Sequence, residues 1–384
     1  MTRVVVSEHV LRWAMDRSGI SPSVFERKFP NIRQWVEGKV QPTIRQLEEL
    51  ARTTSTPFGF FFLQEPPKEQ LPIPHFRTIS DDSTYRPSPN LLETVQIMEQ
   101  RQTWMREFMR EEGQKPLPFV GSINPDEDIQ SITKSIRDNL GFEKGWASKQ
   151  STWTNALDML RRTIEMTGIL VVVNGIVANN THRKLDTNEF RGFVLVDEYA
   201  PLVFVNGADG KAAQMFTLAH ELAHVWLGSS AAFDLRELRP SEDPIEQKCN
   251  KVAAEFLVAE EELRQIWPDV RNENEPFQII ARRFKISVLV AARRALDLQL
   301  INKSEFLDFY HDYQEDERRR AIKKPDGGNF YNTQNLRIGL RFAHAVMSAA
   351  REGRLLYKEA YHLTGLHGKS FERYSERLGI GVNN

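Results

Sequence analysis

Apolar residues between Val4 and Leu63 recur at helical spacing, among them Leu11, Met15, Val24, Phe25, Phe29, Trp35, Ile44, Leu47, Leu50 and Ala51. Ser18-Gly19, Pro30, Gly38 and Pro42 interrupt the pattern, which predicts several short helices over residues 1–65, the last starting after Pro42-Thr43. Residues 66–90 are broken by Pro66, Pro67, Pro72, Pro74, Pro87 and Pro89 and read as an extended connector. Phe58, Phe60, Phe61 and Phe62 just before it are too apolar for a free linker and are expected to pack between domains.

From about Leu91 to Leu300 the pattern changes. Helices are predicted over Leu91–Arg110 and Trp153–Met166. Apolar runs at Ile169–Val173, Phe193–Val196 and Leu202–Val205 read as strands, the last two as a hairpin around Asp197–Pro201. Helical spacing returns over Lys211–Leu227, Ile245–Val258, Phe277–Phe284 and Val288–Leu296. A few strands followed by helices predict an α+β class, with a small sheet and helices over residues 91–300. Residues 301–384 read as a charged linker, mixed in sign from Glu315 to Lys324, and a C-terminal helical unit with helices at Asn335–Arg351 and Leu355–Leu363.

The 384 residues are enough for two or three cores. A net charge of −1 gives no whole-chain footprint for nucleic acid, so any such contact must be local. Cys249 is the one cysteine and has no partner for an internal disulfide, which fits a reducing compartment. The first ten residues lack a signal-peptide pattern, and no apolar run approaches the ~20 residues that span a bilayer. A cytoplasmic protein without a membrane partner is expected.

Chemistry concentrates at His220-Glu221-Leu222-Ala223-His224. Two histidines four apart on a helix project from one face, where both imidazoles can hold one tetrahedral cation. Glu221 between them can reach water at that cation and serve as general base without being a ligand. Two imidazoles leave the site incomplete. The next histidine is His311, so acidic residues on the following predicted helix are the candidates for a third ligand. Glu246 is preferred to Glu255 because Asn250, one turn on, can accept the second N–H of a ligand histidine. Glu255 lies about half a turn round the helix from Glu246. Cys249 reads as a buried thiol rather than a soft ligand. His75, His182 and Tyr199 are weaker candidates for an oxyanion donor. Zn2+ is the expected ion, although Mn2+ or Fe2+ also suit two imidazoles and a carboxylate.

Phe216–His224 followed by Glu246–Leu257 resembles the ImmA/IrrE family of metallo-endopeptidases, and the similarity runs from Leu71-Pro72-Ile73-Pro74-His75-Phe76-Arg77 through Leu202–Asn206 to about Leu300. The resemblance implies a zincin-like domain, zinc held by His220, His224 and Glu246, and Glu221 as catalytic base. It also implies action on cytoplasmic repressor proteins that control stress, phage or mobile-element genes. The second helix departs from the usual Leu-Leu-Met-Pro ending with Phe256-Leu257-Val258-Ala259. The strand Leu202–Val205 takes the place of the edge that pairs with substrate backbone in such peptidases.

Gly19-Ile20-Ser21, Trp35–Lys39, Pro42 and Leu47–Ala51 resemble the XRE-type helix-turn-helix, shorter here where the recognition helix begins. The resemblance implies operator DNA as a partner, with Arg27, Lys28, Arg33 and Lys39 as candidate phosphate contacts. Two functions follow from the whole. One is a zinc endopeptidase that cuts or controls a repressor or toxin. The other is an antitoxin that binds a co-encoded toxin on a peptidase scaffold.

Overall fold

The computed structural model describes residues 2–69, 87–233, 243–315 and 330–380. By its contacts the chain divides into residues 1–96 and 97–384.

The first unit holds α1 (Glu8–Arg17), α2 (Pro22–Lys28), α3 (Ile32–Val36) and α4 (Ile44–Thr54), then a 3-10 turn at Phe58–Phe62. Thr43 opens α4 with a reciprocal cap: its Oγ1 accepts the Gln46 N–H, and Gln46 Oε1 accepts the Thr43 N–H at 2.9 Å. Such caps stabilise a helix by about 1 kcal/mol. Val10, Leu11, Phe25, Trp35, Leu47 and Leu50 form the core. Phe61 is buried in that core and Phe60 packs against it, so half of the aromatic run expected between domains serves the N-terminal helices themselves.

The second unit is α+β. α5 (Pro89–Glu111) crosses the division and leads to α6 (Ile129–Leu140) and α7 (Trp153–Met166). Then come β1 (Leu170–Asn174), β2 (Gly192–Leu195) and β3 (Leu202–Asn206), followed by α8 (Lys211–Leu227), β4 (Ala231–Phe233) and α9 (Pro244–Leu257). α10 (Glu260–Val270), α11 (Pro276–Phe284), α12 (Val288–Asp297) and α13 (Lys303–Glu315) complete the middle of the chain.

The strand order is β1-β3-β2-β4, with β1 parallel to β3 and the other pairs antiparallel. Every residue of β1, β2 and β3 is buried, which is why they read as continuous apolar runs rather than as alternation. Val171, Val173, Val194, Val203 and Val205 share one core with α8 and α9. In β2 and β3, Phe193 and Phe204 stack at 4.9 Å.

Strand β3 is central, which corrects the expectation that Leu202–Val205 is an edge. A hairpin places β2 on one side of it, but β1 returns to its other side across many residues. Local pattern carries no signal for that distant pairing.

Beyond β1 stand α14 (Phe330–Ile338), α15 (Leu340–Arg351), α16 (Tyr357–Thr364) and α17 (Lys369–Arg377). The helix expected over Asn335–Arg351 is two helices, broken at Gly339. This glycine has φ +84°, and a Cβ there would lie 2.9 Å from the Val171 carbonyl oxygen of β1. Buried Glu165, at the end of α7 and paired with Arg161, accepts the Leu340 N–H at 2.8 Å and so starts α15. Buried Arg101 of α5 donates to the carbonyls of Leu363 at 2.9 Å and Arg337 at 2.8 Å. The C-terminal helices thus belong to the same body as the sheet. No helix among the described residues is long and apolar enough to cross a membrane.

Candidate metal centre

α8 is buried for nearly its whole length, because it runs between the sheet and α9. An amphipathic surface helix would hide one stripe; here Phe216, Leu218, Ala219, Leu222, Ala223 and Trp226 fill the core around His220, Glu221 and His224. Three ionisable side chains on such a helix need partners, since unpaired buried charge is costly.

The imidazoles find theirs on α9. His220 Nε2 lies 3.0 Å from Glu246 Oε2, His224 Nε2 lies 3.2 Å from Glu246 Oε1, and the two Nε2 atoms are 3.1 Å apart. Among the described residues these three form a group whose donor atoms all lie within 4.8 Å of one another. Asp243 caps α9 by accepting the Ile245 N–H, which sets Glu246 in the first turn, and Asn250 follows one turn later. Asn250 Oδ1 stands 3.1 Å from His220 Nδ1. When that nitrogen donates, the Nε2 lone pair of His220 points into the group.

His224 is held from the other side. Its Nδ1 lies 3.1 Å from Ser229 Oγ, just beyond the helix end. Ser229 did not figure among the sequence candidates, but glycine at a helix end followed by a hydroxyl residue is a legible signal for it.

Electrostatics sort the carboxylates. Burial pushes the Glu246 carboxyl up, but hydrogen bonds and charge from His220 and His224 outweigh this and hold it below its ordinary range. Burial pushes the Glu221 carboxyl well up, with the Glu246 charge adding to it. Neither Glu221 oxygen has a hydrogen-bond partner among the described residues. Burial lowers His220 despite Glu246, which favours the neutral ring needed for ligation. Cys249 is buried and its thiol is pushed up by burial and then by Glu246, so it stays protonated.

These residues fit a divalent cation. Two imidazole nitrogens and a carboxylate match the donor set of catalytic zinc sites with three protein ligands. Glu221, buried beside them with both oxygens unpartnered among the described residues, matches a base held for a water molecule.

The remaining candidates lie elsewhere. Glu255 pairs with Arg294 and accepts the Glu260 N–H at 3.2 Å, a role in joining α9 to α10 and α12. Tyr199 lies under the Arg110 guanidinium at 4.8 Å, and His182 sits exposed in a loop. His75, with the rest of Leu71–Arg77, falls outside the described residues. In the N-terminal unit Lys28 pairs with Glu49, Arg33 with Glu26 and Lys39 with Glu37, while Arg27 is exposed in the last turn of α2.

Gly192 on β2 also belongs to the site. A Cβ there would collide with Thr217 Cγ2 and stand 2.8 Å from the Phe204 carbonyl oxygen and 3.3 Å from Glu221 Oε1. Gly192→Ala is expected to lower stability by ~1–3 kcal/mol through overpacking and to displace Glu221. Thermal unfolding checks the first effect, and an unchanged midpoint would show that the sheet and α8 part more easily than this contact implies.

Residues 164–296 match the family model of the IrrE N-terminal-like domain, of the Peptidase M78 family. The match runs from the end of α7 to the end of α12 and so contains the sheet, His220, Glu221, His224 and Glu246. The match covers less than half of the chain. Residues 338–377 match a domain of unknown function (DUF8813), which takes in α15, α16 and α17. No curated protein matches the chain.

Proposed function

We propose that this chain is a zinc-dependent endopeptidase-type regulator that acts on a protein partner, a repressor or a co-encoded toxin. One observation carries the reading: His220, His224 and Glu246 converge beside a buried Glu221 that has no donor among the described residues. It is strengthened by the IrrE N-terminal-like match, which spans all four residues.

Bound zinc supplies Lewis acidity toward a scissile carbonyl and lowers the pKa of water. The chain's own residues do the rest. Asn250 and the α8–α9 packing fix the His220 ring, so ligation needs no rearrangement of the helices. Glu221 takes a proton from the attacking water and returns it to the leaving amine nitrogen. Its dry surroundings favour holding that proton between the two steps.

A zincin-like arrangement also needs a strand to receive substrate backbone. β3 is paired on both sides and β1 lies against Gly339, so among the described strands β4 offers the open edge. Phe233 of β4 pairs with Gly192, whose neighbour is Glu221. A partner segment added along β4 would stand two strand spacings, about 10 Å, from Gly192 and the base beside it.

The partner proposed is a protein. For operator DNA, α3 has only five residues to offer a groove, and three of the four candidate cations already face carboxylates.

The test is incubation of the purified chain with the protein encoded beside its gene, with Zn2+, with a chelator, and with Zn2+ restored. Fragments that vanish with chelator and return with zinc support the peptidase. A stable complex without fragments in every arm overturns it and leaves the binding role on a peptidase scaffold.

A further inference from the structure

α8 ends in a turn that folds the chain back over one of its own histidines. Gly228, at φ +71°, places Ser229 so that its N–H donates to the His224 carbonyl at 3.1 Å. The Ser229 hydroxyl comes within 3.1 Å of His224 Nδ1. One residue therefore contacts His224 twice, at backbone and at ring.

The turn is fixed on three further sides. Gly121 and Ile123 donate to the carbonyls of Val225 and Trp226 at 3.0 and 3.2 Å, taking up helix-end acceptors. A Cβ on Gly228 would stand 3.0 Å from Gly121 Cα, so the two backbones cross as only glycines allow. Ser230, next in line, accepts the Val196 N–H at 2.9 Å just past β2. Stacking of Phe119 on Trp226 at 4.5 Å holds the crossing segment against α8. An end this constrained is more than a helix stop.

We propose that Ser229 is a positioning residue for the metal centre, accepting the Nδ1–H of His224 so that the Nε2 lone pair is presented to the cation. Asn250 does the same for His220 from α9. The two ligand rings are thereby held by residues from different elements. Without the Ser229 acceptor, the proton on His224 is free to occupy either nitrogen and the ring is free to turn, and both weaken ligation. The proposal rests on reading His220, His224 and Glu246 as a divalent-cation site.

The experiment uses the full chain, stripped of metal, with Zn2+ alone as the probe and affinity read by competition with a chromogenic chelator. Co2+ serves as a second probe, read by its visible spectrum. Ser229→Ala is expected to weaken Zn2+ binding about 10–100-fold, the range for outer partners of ligand histidines. Its metal-free unfolding midpoint is expected to match wild type, which separates positioning from folding. Ser229→Thr, which keeps the hydroxyl, is expected to restore most of the affinity. Zn2+ binding by Ser229→Ala within twofold of wild type overturns the proposal. So does a loss that Ser229→Thr fails to recover while remaining folded. If wild type itself binds neither ion, the cation-site reading fails first and this proposal with it.

Discussion

Glu221→Gln is expected to reduce cleavage of the protein partner by about 10²–10⁴-fold while Zn2+ affinity stays close to wild type. The substitution keeps length and shape at a position that is fully buried, so the α8 core need not repack. It removes only the ability to take and return a proton. Glu221 is not one of the three converging donor residues, so Zn2+ binding should remain. Burial and the charge of Glu246 push the Glu221 carboxyl well up, and a neutral glutamine avoids that cost, so the metal-free variant is expected to be at least as stable as wild type. The sign follows from linkage. A carboxyl raised in the folded state contributes fully below its ordinary pKa of 4.5, and the contribution is lost as pH rises toward the folded value. The stability difference between Glu221→Gln and wild type should therefore grow with pH in the metal-free proteins. Partner fragments, zinc content and thermal unfolding report the three quantities. Normal cleavage by this variant would remove Glu221 from the mechanism.

Glu246→Ala is expected to do the opposite, removing the metal and the activity together. It deletes the only carboxylate in the converging group, leaving two imidazoles at 3.1 Å with no anion between them. The loss in Zn2+ affinity should exceed the ~100-fold that outer partners carry, because a direct ligand and its charge both disappear. Chelator competition measures this on the same scale as Ser229→Ala, so the two variants calibrate each other. Affinity within tenfold of wild type would mean that another group closes the site. The metal-free protein also loses a carboxylate that is held below its ordinary range by the two imidazoles. That contribution is present above pH 4.5 and lost as acid protonates Glu246 in the folded state, so the variant's deficit should shrink below pH 4.5.

Much of the candidate centre is legible in the sequence. His220, Glu221 and His224 follow from helical spacing, and Asn250 on the same face favours Glu246 over Glu255. The structure brings Glu246 to both imidazoles and Asn250 to His220, while Glu255 turns to Arg294. The limits of α7 and α8 were equally legible, since apolar spacing, caps and flanking glycines all act within a few residues. What escaped depends on distant contacts. Gly228 marks the turn before Ser229, but its place beside His224 also rests on backbone contacts with Gly121, more than a hundred residues earlier in sequence.

The sequence by itself determined which donor groups share a helix face: donor types and their spacing are local properties of one helix and the next, and a buried helix must provide for the charges it carries. Only the tertiary structure decided which strand is central, which strands stand at the sheet's ends, and that the C-terminal helices lie against β1. Those depend on backbone hydrogen bonds and close approaches, Val171 to Gly339 and Glu165 to Leu340, between segments far apart in the chain. A peptide group offers the same donor and acceptor whatever its side chain, so pairing of this kind leaves little trace in residue pattern.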